Sequence, residues 1–180
     1  MAKRKRKKKT PFKPPKITLK KFSPLAPLSP RILALDPGKR NSYWSLIGYH
    51  KDKGKWIIAQ TGYLDISADL SVPERLAIVH KNLLKVFSRT EPSHFVIERF
   101  IVRRSGKGNV SEHVNMLCGI AFVLCRLLAI EPHYLIASQH KQFLKKRFDK
   151  VATEVWPHLN EHEADATSLA FYGVHHFVKK

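Results

Sequence analysis

Arg31-Ile32-Leu33-Ala34-Leu35-Asp36-Pro37-Gly38 is the stretch on which the organisation of this chain turns. Four consecutive apolar residues, Ile32 to Leu35, are too few for a helix and read as a strand buried on both faces. Asp36-Pro37-Gly38 closes it as a turn. A carboxylate at the tip of an apolar strand is costly to bury unless a basic side chain or a divalent metal compensates it.

Before Arg31 the texture is different. Residues 1–30 hold eleven Lys and Arg, no acid, and Pro11, Pro14, Pro15, Pro24, Pro27 and Pro30. Like charges repel and proline breaks helices and central strands, so 1–30 is expected to be a disordered basic arm, and 31–180 the folded domain. The arm suits phosphate contact through counterion release, or nuclear targeting if the host has a nucleus. A solvated tail that only aids solubility is the plainer alternative.

After Gly38 the elements follow in order. Tyr43 to His50 and Lys55 to Leu64 read as strands joined by the Asp52-Lys53-Gly54 loop. Val72, Leu76, Val79, Leu83 and Val86 fall at helical spacing, which predicts a helix from about Val72 to Ser88 with Pro73 in its first turn. His94 to Glu98 reads as another short buried strand. An apolar helix from about Ser111 to Ala129, a strand at Tyr134-Leu135-Ile136, a basic helix from Gln139 to Phe148 and a last helix from Glu161 to Val178 complete the chain. Hairpins first and helical crossovers later predict an α/β fold, a mixed five-stranded sheet with helices on both faces.

Composition narrows the function classes. Thirty-three Lys and Arg stand against 14 Asp and Glu, for a net charge of +19, and 43% of the 180 residues are hydrophobic. That is one domain with a real core, and a surface that favours a polyanion, most simply nucleic acid. The part beyond the arm carries +8, from the remaining 22 basic residues and all 14 acids. Cys118 and Cys125 lie in one apolar stretch and resemble neither a disulfide framework nor a zinc site. The longest uncharged apolar stretch, His113 to Cys125, is too short to span a bilayer, and the N-terminus lacks the apolar core of a secretion signal. A soluble intracellular protein, with no membrane partner, is the expectation.

On so basic a chain the acids are informative. Asp36 and Glu98 both end apolar strands. If those strands are parallel neighbours, the two carboxylates enter one cleft at the carboxyl ends of the sheet, where α/β sites collect. Pairing with Arg40 or Arg99 would be the structural alternative. Asn160-Glu161-His162-Glu163-Ala164-Asp165 opens the last helix. Asn160 and Glu163 suit a capping box, which leaves Asp165 unexplained. His162 lies three residues before it on the same face. Oxygen-rich ligands of this kind suit Mg²⁺ or Mn²⁺, and two such ions would clamp a scissile phosphate.

Three segments carry a family resemblance. Ile32 to Gly38 resembles the first motif of RuvC-type Holliday-junction resolvases. Val96-Ile97-Glu98 followed by Phe100 resembles the second, and His162-Glu163-Ala164-Asp165-Ala166 with Leu169-Ala170 the third. The resemblance covers roughly Arg31 to Val178. It implies an RNase H-like fold and a homodimeric, Mg²⁺- or Mn²⁺-dependent endonuclease that nicks two strands of a four-way DNA junction symmetrically. By position, Asp36, Glu98 and Asp165 match the catalytic metal-binding carboxylates, and His162 matches a fourth catalytic position that is Asp or His in the family. Lys141, Lys145 and Lys146 fall where the family has basic residues that contact DNA. Phe100 stands near the junction-wedging aromatic, one residue short in its offset from Glu98. The segment before the third motif is shorter than in the family, and the basic arm is outside its pattern, which suggests a viral or organellar source.

Two other features bear on partners. The helix over Asn115 to Ala129 reads mainly as core, with part of it available to a twin helix where Gly119 permits close approach. The loop Arg103 to Asn109, with Arg103, Arg104 and Lys107, suits backbone phosphates. The ten histidines, His50 and His94 among them, show no zinc-site spacing. Other branched DNA, RNA–DNA hybrid or RNA remain alternative substrates, and a non-cutting nucleic-acid-binding protein is the alternative outside enzymes.

Overall fold

A computed structural model of the chain describes residues 28–38, 41–66, 70–99 and 108–178. Five strands form one mixed sheet in the order β3-β2-β1-β4-β5. They are β1 (Leu28–Asp36), β2 (Asn41–His50), β3 (Lys55–Asp65), β4 (His94–Glu98) and β5 (Glu131–Leu135). The helices are α1 (Val72–Thr90), α2 (Gly108–Leu127), α3 (Ala137–Phe148), α4 (Ala152–Val155) and α5 (Glu161–His176). The hairpin pairs β1–β2 and β2–β3 are antiparallel, and the crossover pairs β1–β4 and β4–β5 are parallel.

The apolar run in β1 is continuous because both of its faces are covered. Leu33 and Leu35 join Phe95 and Ile97 of β4 in a core closed by α1 and α2. Ile32 and Ala34 join Val96 of β4 beneath α5. On the first face Phe87 of α1 meets Phe95 edge-on, with ring centres 5.0 Å apart. Such a pair adds about 0.5–1.5 kcal/mol beyond its buried area. Successive strand residues alternate between faces, so Asp36 follows Ala34, and Glu98 follows Val96, onto the side of the sheet that α5 covers.

α5 lies close to the sheet because its inward residues are small: Ala166, Ala170 and Gly173 are buried beside Leu169. A Cβ on Gly173 would stand 2.9 Å from Val96 Cγ2 and 3.4 Å from Ile32 Cγ2. Gly173→Leu is therefore expected to destabilise the protein by about 1–3 kcal/mol through overpacking, measurable by denaturant unfolding. At its start, Asn160 Oδ1 accepts from the Glu163 backbone N–H (2.9 Å), and the Glu163 carboxylate accepts from the Asn160 N–H (3.4 Å). The other Glu163 oxygen accepts from the Thr61 hydroxyl at 3.0 Å, which ties the cap to β3. α3 and α4 pack outside α5 through Leu144, Ala152 and Ala164.

Several boundaries differ from the expectation. β1 begins at Leu28, so Leu28 to Pro30 belong to the sheet and not to the arm. Pro30 is tolerated there because the β1–β2 register shifts between Leu28 and Arg31, and pairing with β4 starts only at Ile32. Residues 1–27 lie outside the described part. β5 starts at Glu131 and includes Pro132, since an edge strand pairs on one side only. Ile136 is the N-cap of α3, which starts at Ala137. Gly108 and Asn109, expected in a loop, open α2. α4 is additional. Cys118 and Cys125 are buried free thiols on α2. Among the described residues no helix is long and apolar enough to cross a membrane.

Candidate active site at the carboxyl ends of β1 and β4

Leu35 pairs with Ile97 across parallel strands, so the next residues, Asp36 and Glu98, are neighbours at the strand ends, about 5 Å apart along the sheet. The first turns of α5 bring His162 and Asp165 over them, and α3 adds His140 and Lys141 from the side. His162 Nδ1 lies 3.3 Å from Asp36 Oδ2. His140 Nε2 lies 3.1 Å from Glu98 Oε2. Lys141 Nζ lies 3.0 Å from Asp165 Oδ2. Among the described residues each of these carboxylates has one nitrogen partner, and Arg99 is not one of them; Arg40 lies outside the described residues.

The electrostatics follow from crowding. The Asp36 carboxyl is pushed up to about 6, first by burial, then by the charges of Glu98 and Asp165, while the His162 hydrogen bond pulls it back. Burial works to lower the Lys141 ammonium, but the Asp165 hydrogen bond and the charges of Asp165, Glu98 and Asp36 outweigh it and raise it. Three carboxylates gathered in a half-buried cleft are the donor set a hard divalent cation takes. As placed, they turn to their nitrogen partners and do not converge on one point. Among the described residues the close three-ligand cluster lies elsewhere, at His94, Glu131 and His133.

The structure therefore brings together Asp36, Glu98, His162, Asp165 and Lys141. Lys145 and Lys146 extend along the exposed side of α3, and Lys145 lines a groove of about 780 Å³ that opens on Asp165 between α3, α4 and the start of α5. Phe100, Arg103, Arg104 and Lys107 lie outside the described residues. His162 is largely exposed and stacks on Tyr43, ring centres 4.9 Å apart.

Sequence reasoning missed His140, which is fully buried. Its Nδ1 lies 2.9 Å from the Ser168 hydroxyl. A carboxylate only accepts, so Nε2–H donates to Glu98, and in the neutral ring the Nδ1 lone pair accepts from Ser168. The available signal was helical spacing: His140 and Leu144 are the buried residues of an otherwise basic α3. A histidine four residues before a buried leucine faces inward.

No family model matches the chain. Its sequence is similar to the crossover junction endodeoxyribonuclease RuvC of Gluconacetobacter diazotrophicus, 29% identical over 100 residues that cover 56% of this chain and 57% of that one. It is also 32% identical to the enzyme of the same name from Fusobacterium nucleatum over 81 residues, 45% of this chain and 42% of that one. The chain thus matches about half the length of these curated relatives. Among solved structures, Thermus thermophilus RuvC in complex with a Holliday junction superposes with a TM-score of 0.66 at 20% identity, covering 83% of this chain and 98% of that one. The yeast mitochondrial Holliday junction resolvase superposes with a TM-score of 0.56 at 18% identity, covering 88% and 72%. The fold, an RNase H-like mixed sheet, is shared with these resolvases. Within that class, sequence and structure alike resemble the RuvC-type resolvases.

Proposed function

We propose that this protein is a divalent-metal-dependent endonuclease that resolves four-way DNA junctions by symmetric paired nicking. The observation that carries this reading is the meeting of Asp36 and Glu98, from adjacent parallel strands, with Asp165 and His162 of α5 on a strongly basic chain. These four residues would hold Mg²⁺ or Mn²⁺, two ions in the full site. When bound, the metal supplies an activated water and neutralises charge on the leaving oxygen.

The protein's own groups do the rest. Lys141 stands beside Asp165 as a fixed positive charge for a phosphate. His140 orients Glu98. Lys145 and Lys146 carry the basic surface away from the site along α3, and the groove beside Lys145 and Lys150 gives a strand a path to Asp165. Phe100, Arg103, Arg104, Lys107 and the basic arm are further proposed DNA contacts.

Paired nicking requires two sites, and α2 offers a seam for a second copy. Met116, Val123 and Leu127 are exposed at helical spacing, with Leu127 73% exposed. Gly119 lies among them, with open space where a Cβ would stand. An apolar stripe of this kind on a charged protein marks an interface. Leu127→Glu is expected to convert a dimer into a monomer in sedimentation, and to replace paired cuts by single nicks on a cruciform plasmid.

The deciding experiment incubates the full chain with Mg²⁺ and labelled four-way junction, fork, RNA–DNA hybrid and duplex of one sequence. Junction-selective cutting that Glu98→Gln abolishes supports the proposal. Preferential cutting of hybrid or fork assigns the same chemistry to another substrate. Binding without cutting in Mg²⁺ and in Mn²⁺ makes the protein a non-catalytic binder.

A further inference from the structure

The end of the sheet away from the carboxylates carries a second cluster. His94, Val96 and Glu98 alternate onto one face of β4, and Glu131, His133 and Leu135 onto the same face of β5, with His94 paired to Glu131 and Val96 to His133. Four strand steps of about 3.3 Å put His94 about 13 Å from Glu98. His94 Nδ1 and His133 Nε2 face each other at 3.2 Å. Glu131 offers Oε2 at 3.5 Å from His94 Nδ1 and Oε1 at 4.0 Å from His133 Nε2.

Two imidazole nitrogens and a carboxylate at these separations match the ligand shell of a small ion. Zn–N and Zn–O bonds of about 2.0–2.2 Å in a tetrahedron place ligand atoms about 3.4 Å apart. The His–His and His94–Glu131 distances already meet that value, and Glu131, whose side chain is 65% exposed, is free to close the remaining half ångström. The rings are held in place. The two histidines are 15% and 13% exposed, and His133 stacks on Phe177 just beyond the end of α5, with ring centres 3.8 Å apart and planes 2° from parallel. The Glu131 N–H bonds the Ser93 carbonyl at 3.1 Å, which ties the start of β5 to the residue before β4.

We propose that His94, Glu131 and His133 form a transition-metal site, suited to Zn²⁺, distinct from the hard-cation site of the carboxylates. Imidazole donors select Zn²⁺, Co²⁺ or Ni²⁺ over Mg²⁺. On binding, the one N–H that a neutral pair places between the facing nitrogens is replaced, through exchange with solvent, by an N–H on the far nitrogen of the same ring, so that His94 carries its proton on Nε2 and His133 on Nδ1, both facing lone pairs reach the ion, and water fills the fourth position. The ion clips edge strand β5 to β4 at the end of the sheet under the last turn of α5. The site does not depend on the nuclease reading, since none of its residues belongs to the carboxylate cluster.

The test uses the full chain carrying Asp36→Asn and Asp165→Asn, so that the carboxylate site cannot compete, with Co²⁺ as the probe. One equivalent of Co²⁺ with the intense visible bands of a tetrahedral ion is expected, displaced by one equivalent of Zn²⁺ and unaffected by millimolar Mg²⁺. Glu131→Ala, an exposed substitution that leaves the packing intact, should weaken binding at least tenfold, and His94→Asn should abolish the bands. The proposal is overturned if no such bands appear, or if they persist unchanged in both variants while melting curves show that the variants are folded.

Discussion

Asp36→Asn is expected to lower junction cleavage in Mg²⁺ by about three orders of magnitude or more, the loss that follows when a metal is no longer held to stabilise transition-state charge. The same variant is expected to be the more stable protein when metal-free at pH 8. Both effects come from one cause. The fold gathers Asp36, Glu98 and Asp165 in a cleft, and the Asp36 carboxyl rises to about 6 from 3.8, through burial first and the two neighbouring charges next. The folded state therefore holds the Asp36 proton more tightly than the unfolded chain does. That contribution to stability is full below about pH 4 and is lost as pH rises through about 6.

The whole shift corresponds to about 3 kcal/mol as an upper bound. Asparagine fills the same volume and cannot ionise. In EDTA, the stability difference between Asp36→Asn and the wild type should grow from near zero at pH 4 to on the order of 2 kcal/mol at pH 8. Mg²⁺ should reverse the order by stabilising the wild type alone. Thermal melts across pH, with and without Mg²⁺, read the stability effect, and a junction cleavage assay reads the catalytic one. Wild-type cleavage by the variant, or no stability gain at pH 8, would show that the carboxylates do not act as one charged cluster.

The second large effect is expected at His140. It touches Glu98 but no position open to substrate, so it acts by holding that carboxylate in one orientation. Loss of such a partner behind a metal ligand typically costs about 10–100-fold in metal affinity or activity. His140→Ala should raise the Mg²⁺ concentration needed for half-maximal cleavage by that factor and leave junction affinity in Ca²⁺ unchanged. Ser168→Ala, a smaller change, should give a weaker version of the same shift by releasing the Nδ1 end of the ring. His140→Gln, whose amide N–H can reach Glu98, should recover part of the loss. If junction affinity and Mg²⁺ affinity fell together with the melting temperature, His140 would be only a packing residue.

Much of the site was legible because its carboxylates are anomalies in local patterns. Asp36 and Glu98 interrupt apolar runs, and Asp165 sits beyond what helix capping explains. Strand alternation then put both strand-end acids on the face that α5 covers. His162 was legible by its spacing from Asp165. Other parts were hidden. The strand expected at Tyr134 to Ile136 in fact takes in Pro132, because at the sheet edge its missing N–H has no ladder partner to lose. Pro30 looked like part of the arm, but a register shift accommodates it. His94 and His133 show no metal spacing along the chain, because strand pairing, which spacing does not reveal, brings them together.

The linear order of residues determined the elements, the mixed sheet and the strand ends where acids collect, since periodicity and turn chemistry are local and act within a few residues. Tertiary structure decided which nitrogen meets which carboxylate. His162 reaches Asp36 across 126 residues and His140 reaches Glu98 across 42. Those contacts depend on how closely α5 lies on the sheet, and hence on Gly173 against Val96 and on the Glu163–Thr61 tie. Packing is a property of surfaces from distant segments, and it is there that a row of separate acids becomes one charged cleft.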